Sequence, residues 1–388
     1  MKTKKHKIGL LPRVIIAIVL GIVLGHVLPE NLTRVFVTFN DLFSNFLAFL
    51  IPLIIIGLVT PAIGNIGKGA GRLLLITVII AYGDTVLVGL LSYLTSISVF
   101  PSLIKLSNIA ALATGADAAL QPYFSIKIPP MVDILSALIF SFILGLCIAN
   151  YYLDNIRQLT SEFRRVITKV IEIVIIPILP LYIMGIFMNM SATGQARRII
   201  TVFVAMIGVI FVMHVLLLII QFLIAGSVAR CNPFRALLNM LPAYFTALGT
   251  SSSAATIPVS VKCVMKNKVD EGVAGFVMPL CATIHLSGSA MKITACAVAL
   301  MLMQGMAIDT MTMVGFVLML GVMMVAAPGV PGGAIMAAIG VLQSLLGFDA
   351  DQQALMIALY IAMDSFGTAC NVTGDGAIAI VVNRIRGS

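Results

Sequence analysis

Runs of about 20 apolar residues, parted by short polar stretches, recur along the whole chain, and each is long enough to cross a hydrocarbon core of about 30 Å. Inside lipid the backbone N–H and C=O groups of such a run must be satisfied within the segment, which leaves the helix as its natural form. Composition points the same way: 60% of the 388 residues are hydrophobic, 10% are charged, and the mean hydropathy is +1.12. The expected class is an all-α polytopic membrane protein. Its spans are placed at residues 9–28, 38–63, 73–98, 132–152, 166–190, 198–227, 271–304 and 354–382, which makes eight crossings. Residues 99–131, with Pro101, Gly115, Pro122, Pro129 and Pro130, read as a long external loop.

The net charge of +9 would suggest nucleic acid in a soluble protein. Here the basic residues sit in loops and follow the positive-inside bias, so no nucleic-acid partner follows. Lys2, Lys4, Lys5 and Lys7, then Lys68 and Arg72, Arg157, Arg164 and Arg165, Arg230 and Arg235, Lys262, Lys266 and Lys268, and finally Arg384 and Arg386 mark one side. Both termini are therefore expected in the cytoplasm, in a cell (inner) membrane. Asp309, Asp349 and Asp351 fall on the other side, and Arg197 and Arg198 depart from the bias. The first apolar run follows lysines as in a secretory signal, but Arg13 interrupts it and no small-residue cleavage site follows, so it reads as a retained helix. The six cysteines lack metal-ligand spacing and read as small packing residues.

Two further apolar stretches are broken at their centres. Residues 233–261 carry Gly249, Thr250, Ser251, Ser252 and Ser253; residues 313–346 carry Pro328, Gly329, Val330, Pro331, Gly332 and Gly333. Arms of about 12 to 15 residues are too short to cross the core but reach its middle and return. Both stretches are expected to be re-entrant hairpins whose tips are buried against protein or line an aqueous site, because hydrocarbon cannot satisfy an opened helix. Each is followed by a crossing helix with polar residues at mid-membrane, a pattern that reads as an inverted repeat.

The last run supplies those polar residues most plainly. Asp364, Thr368, Asn371 and Asp375 stand at steps of four, three and four, which places them on one stripe of a helix. An ionised carboxylate at that depth costs at least about 2.5 kcal/mol, so the stripe must face a partner, a cation or water. A structural ion pair is the plainer alternative, but no basic residue of the same helix is spaced to neutralise either acid.

Together these features resemble the dicarboxylate/amino acid:cation symporter family, with the serine-rich first tip, the Gly329-Val330-Pro331-Gly332 second tip and Asn371-Val372-Thr373-Gly374-Asp375 in the family's order and spacing. The resemblance implies eight transmembrane helices and two hairpins in a glutamate-transporter-like elevator fold, assembled as a homotrimer in membrane lipid. It implies a scaffold from residues 1–72 and 132–190, and a transport domain from residues 73–98 and 191–388, with 99–131 as external loop. It also implies that Asp364 binds a substrate amino group, that Asn371 and Ser253 hold a carboxylate, and that Ser251, Ser252, Ser289, Lys292, Val330, Gly333, Gly367 and Thr368 line the substrate. Asp375 and Thr283 match sodium ligands; Asp84, Thr85, His285, Ser287 and Asn371 are the further candidates for the cation sites, Asp84 and His285 as departures from the family.

The departures bear on the cargo. Where acidic-amino-acid carriers have an Arg, this chain has Gly367, and the family's supporting Asp is replaced by Tyr360. In the seventh crossing the family's Asn-Met-Asp-Gly-Thr becomes His285-Leu286-Ser287-Gly288-Ser289, while Asp84 appears in the third, so one carboxylate is expected to have moved between helices. His285 reads equally as a site ligand, a proton carrier or an interhelical donor; His214 reads as packing. Lys292, seven residues after His285 and three after Ser289, offers an ammonium on the same face. It can attract an acidic substrate or stand in for a coupling ion, as a point charge rather than a planar fork. The expected function is symport of a small amino acid, neutral for preference, with Na+ or H+. An acidic amino acid or dicarboxylate held by Lys292 is the second reading, and an ion-conducting channel is the reading from another class. No enzyme is expected, since neither a nucleophile elbow nor a phosphate-binding loop occurs.

Overall fold

The computed structural model describes residues 10–65, 72–106, 120–192, 196–327 and 331–386, and among these all regular structure is helical. Three elements come first: α1 (Leu10–Val27), α2 (Glu30–Asn65) and α3 (Arg72–Leu106). They are followed by α4 (Ile134–Asn150) and α5 (Asp154–Val170), and α5 runs through one π-turn at Ile171–Ile175 into α6 (Ile176–Ala192). The remainder comprises α7 (Ala196–Ala229), α8 (Pro233–Thr250), α9 (Ser253–Met265), α10 (Glu271–Ile284), α11 (Ser287–Met303), α12 (Thr310–Ala326), α13 (Gly333–Leu346), α14 (Ala350–Ala362) and α15 (Asp364–Arg386).

Among the described residues, six helical stretches are long and apolar enough to cross a membrane: 30–64, 72–103, 154–192, 202–229, 271–303 and 364–386. At the crossings expected at 9–28 and 132–152, helices α1 and α4 have 18 and 17 described residues and are not among these six. The other boundaries also move. Helix α3 runs to Leu106, so the first residues assigned to the external loop are helical. The crossing expected at 271–304 is interrupted at His285 and Leu286, and the one at 354–382 at Met363, each with non-helical backbone. Both hairpins form where expected, with α8 and α9 as the arms of the first and α12 and α13 as the arms of the second. The centre of the second tip, Pro328 to Val330, lies outside the described residues, as do the four N-terminal lysines and Lys68.

Helix starts follow local chemistry. Asp133, Asn232, Asp270, Asp309 and Asp349 each accept a bond from a backbone N–H two or three residues on, which satisfies donors that a helix start leaves unpaired. Asp349 and Gln352 form a reciprocal capping box. Helix α1 lies against α6 at Gly21 and Gly25, where an added Cβ would run into the carbonyl oxygens of Met184 and Met188. Only glycine allows that approach, as in the small-xxx-small crossings of membrane helices. At the centre, α11, α13, α14 and α15 are buried along nearly their whole length. Exposed apolar side chains such as Val19, Leu87, Phe140 and Leu216 belong to α1, α3, α4 and α7, the outer helices.

Candidate functional site

Both hairpin tips meet the first turn of α15, and the α10–α11 break lies further along the same helix. At the first tip Ser251 closes α8 in the left-handed region (φ 50°), and its hydroxyl lies 2.6 Å from that of Ser365. Ser252 caps α9 through a 3.3 Å bond from the Ala255 N–H, and Ser253 is buried behind it. At the second tip Gly332 takes φ 75°, and its N–H donates to Asp364 Oδ2 at 2.9 Å. Gly333 begins α13 directly behind. Expected site residues from three segments thus meet at Asp364 and Ser365. Val330 lies outside the described residues.

Lys292 takes the second oxygen of Asp364. Its Nζ donates to Oδ1 at 3.1 Å and to the Met363 carbonyl at 3.4 Å, and it lies 3.6 Å from the centroid of the Tyr360 ring. Salt bridge, backbone carbonyl and aromatic face together replace the water an ammonium loses on burial, and the Lys292 side chain is 0% exposed. Gly367 makes the room: a Cβ there would lie 2.6 Å from Nζ and 2.8 Å from Cε. The three departures Gly367, Tyr360 and Lys292, which the sequence presents separately, are one arrangement around a buried cation.

One turn further along α15, Asn371 does the work of a helix cap for another helix. Its Oδ1 accepts from the Gly288 and Ser289 N–H groups at 2.8 and 3.3 Å, and its Nδ2 donates to Ser289 Oγ at 3.1 Å. The residue before α11 is Leu286, which has no side-chain acceptor, so the opened start of α11 is satisfied from across the bundle. Ser289 Oγ also lies 3.0 Å from the Tyr360 hydroxyl, which ties Asn371 to the aromatic wall beneath Lys292. His214 of α7 bonds through Nε2 to the Gly288 carbonyl at 3.0 Å.

Asp375 and Asp84 meet on opposite sides of His285. Nδ1 of the ring lies 2.8 Å from Asp375 Oδ1, and Nε2 lies 2.8 Å from Asp84 Oδ2. The extended backbone at the α10–α11 break turns the ring between the two helices that carry the acids, and the ring is fully buried. Gln221 of α7 donates from Nε2 to Asp84 Oδ2 at 2.7 Å and to Ser287 Oγ at 3.3 Å. Asp84 is therefore beside the seventh-crossing break, but as the partner of an imidazole. Both buried acids that were read as ligands, Asp364 and Asp375, are engaged by bases from the α10–α11 region.

Several expected residues do not join these groups through side-chain bonds, Ser252 and Ser253 among them. Thr283 is exposed and its hydroxyl returns to the Leu280 carbonyl, and Thr85 bonds to Ala81 of its own helix. Thr368 is buried between the Lys292 and Asn371 groups without a side-chain bond to either. Four participants escaped the sequence reading: Gln221, Ser365, Gly332 and the site-facing role of His214. His214 and Gln221 stand seven residues apart in a helix that is otherwise almost wholly apolar, a two-turn spacing that puts both on one face and was a usable signal.

Comparison with known proteins places this geometry. Across 97% of the chain and 98% of the relative, the sequence is 26% identical to the serine/threonine transporter SstT of Acinetobacter baylyi. A shorter stretch, 43% of the chain, is 35% identical to excitatory amino acid transporter 3 of Mus musculus and 32% identical to excitatory amino acid transporter 2 of Homo sapiens, covering 32% and 29% of those proteins. The model of the sodium:dicarboxylate symporter family matches residues 10–385. The converging tips, the broken helices and the acid-bearing α15 are therefore those of a transporter and not an enzyme, and the chain belongs to the sodium:dicarboxylate symporter family.

Proposed function

We propose that the chain is a secondary-active symporter that couples uptake of a small amino acid with a neutral side chain, such as serine, threonine or alanine, to Na+. One observation carries the choice of side chain: the Lys292 ammonium is spent on Asp364, 3.1 Å away. With Gly367 in the Arg position and Lys292 paired, the described residues of the site leave no cation to neutralise a second carboxylate on the cargo. An acidic substrate would bring an uncompensated charge against largely buried residues, which costs far more than it does in water.

The substrate lies at the hairpin tips, against Ser251, Ser253 and the first turn of α15. Asp364 retains acceptor capacity on both oxygens for an α-ammonium, since each carboxylate oxygen has two lone pairs. Movement of the second tip releases the Gly332 N–H from Oδ2 and opens that side. The transport unit comprises α3 and the elements from α7 to α15, and moves against a scaffold of α1, α2 and α4 to α6 in a homotrimer of the cell membrane, both termini cytoplasmic.

Uptake into proteoliposomes of labelled serine, threonine, alanine, aspartate and succinate, with Na+ and H+ gradients imposed separately, tests the proposal. Saturable accumulation of the neutral amino acids under the Na+ gradient, with aspartate and succinate at background, is expected. Aspartate or succinate uptake that vanishes in Lys292→Met would put the dicarboxylate reading in its place. Accumulation driven by the H+ gradient alone would replace the coupling ion, and flux at single-channel rates would replace the carrier by a channel.

A further inference from the structure

We propose that the His285 ring fills the place of one coupling ion, so that the chain binds no Na+ between α3 and the α10–α11 break. This deepens the symport reading and rests on it for its consequence in transport, but its evidence is independent of the cargo. Two acids from two helices, Asp84 and Asp375, sit where a cation would be needed to hold them together. The body between them is an imidazole, 2.8 Å from each.

The two ring nitrogens take one acid each, so the ring itself bridges α3 and α15 at the place where a metal would have to bridge them.

Shape excludes the ion. The oxygens that face the site, Asp84 Oδ2 and Asp375 Oδ1, lie on opposite edges of the ring and cannot share one metal while it stands between them. Gln221 approaches Asp84 Oδ2 with its Nε2 donor, 2.7 Å away, and a donor repels a metal ion. Its second contact, to Ser287 Oγ at 3.3 Å, uses the hydroxyl at the position where the family's carboxylate is missing. Ring, amide and hydroxyl thus occupy the space around Asp84, and the carboxylate that moved from one helix to another did so to meet a side chain.

Equilibrium binding of 22Na+ to the purified full-length protein in detergent, counted per chain at saturation, tests this without any need for transport. His285→Asn removes the ring and leaves the two acids facing each other; it is expected to bind one Na+ more than the wild type. Asp84→Asn keeps the shape and an acceptor for Nε2–H, and is expected to bind as many ions as the wild type. An unchanged count in His285→Asn overturns the proposal, and so does the loss of one ion in Asp84→Asn. Should His285→Asn not fold, the Asp84→Asn count still decides. Absence of Na+-driven uptake would overturn the symport reading and leave these counts intact.

Discussion

At the scale of single residues, two buried acids are held by two bases, and the consequences differ for each. Lys292→Met strands Asp364 without its counter-charge, and loss of about 3–5 kcal/mol is expected, the range seen when one member of a buried pair is removed. Thermal unfolding in detergent should show the fall, and Lys292→Met with Asp364→Asn should recover part of it, because no lone charge is then buried. Asn371→Ala uncovers the Gly288 and Ser289 N–H groups at the start of α11 and is expected to cost about 1 kcal/mol, as for other lost caps. Faster amide exchange at those two residues, absent in Asn371→Asp, would be the signature. The acids, the asparagine, His285 and Lys292 were legible in the sequence because a charged or polar residue in a long apolar run needs a reason. What each one touches was not, since partners from α3, α7, α11 and α15 are brought together only by the fold. Gln221 shows the limit: a neutral amide in a lipid-length helix draws little notice until Asp84 is seen beside it.

Elements were read by run length, and that method fails where a helix stops inside an apolar run. The interruptions at His285–Leu286 and Met363 carry no glycine or proline within them, so periodicity passes over both. The hairpin tips, dense in serine, glycine and proline, announce themselves. The capped starts were equally local signals, and one yields a pH prediction outside the membrane. Asp309 accepts from the Thr312 N–H at 2.7 Å and from its hydroxyl at 2.8 Å, bonds that favour the ionised form and hold the carboxyl below its usual range. Its support of the first turn of α12 is therefore fully present above the ordinary carboxylate range and lost as pH falls through the depressed folded value. Amide exchange at Thr312 should quicken on acidification in the wild type, while Asp309→Asn should show no such step.

For the whole molecule, composition alone announced a helical membrane protein, and the order of broken and unbroken segments pointed to the family; how the helices cross had to come from packing. The close approach of α1 to α6 rests on Gly21 and Gly25, and Gly25→Leu is expected to force the pair apart, with loss of folded protein on size-exclusion chromatography, whereas Val19→Leu on the exposed face should be silent. The cross-bundle cap on α11 has a consequence of its own. Whatever solute displaces the Asn371 amide oxygen must leave two peptide donors of a neighbouring helix unserved, unless it serves them itself. A carboxylate can do that, and a merely apolar guest cannot. Recognition and local refolding would then be a single event, with the cargo completing the peptide bonding of its own carrier.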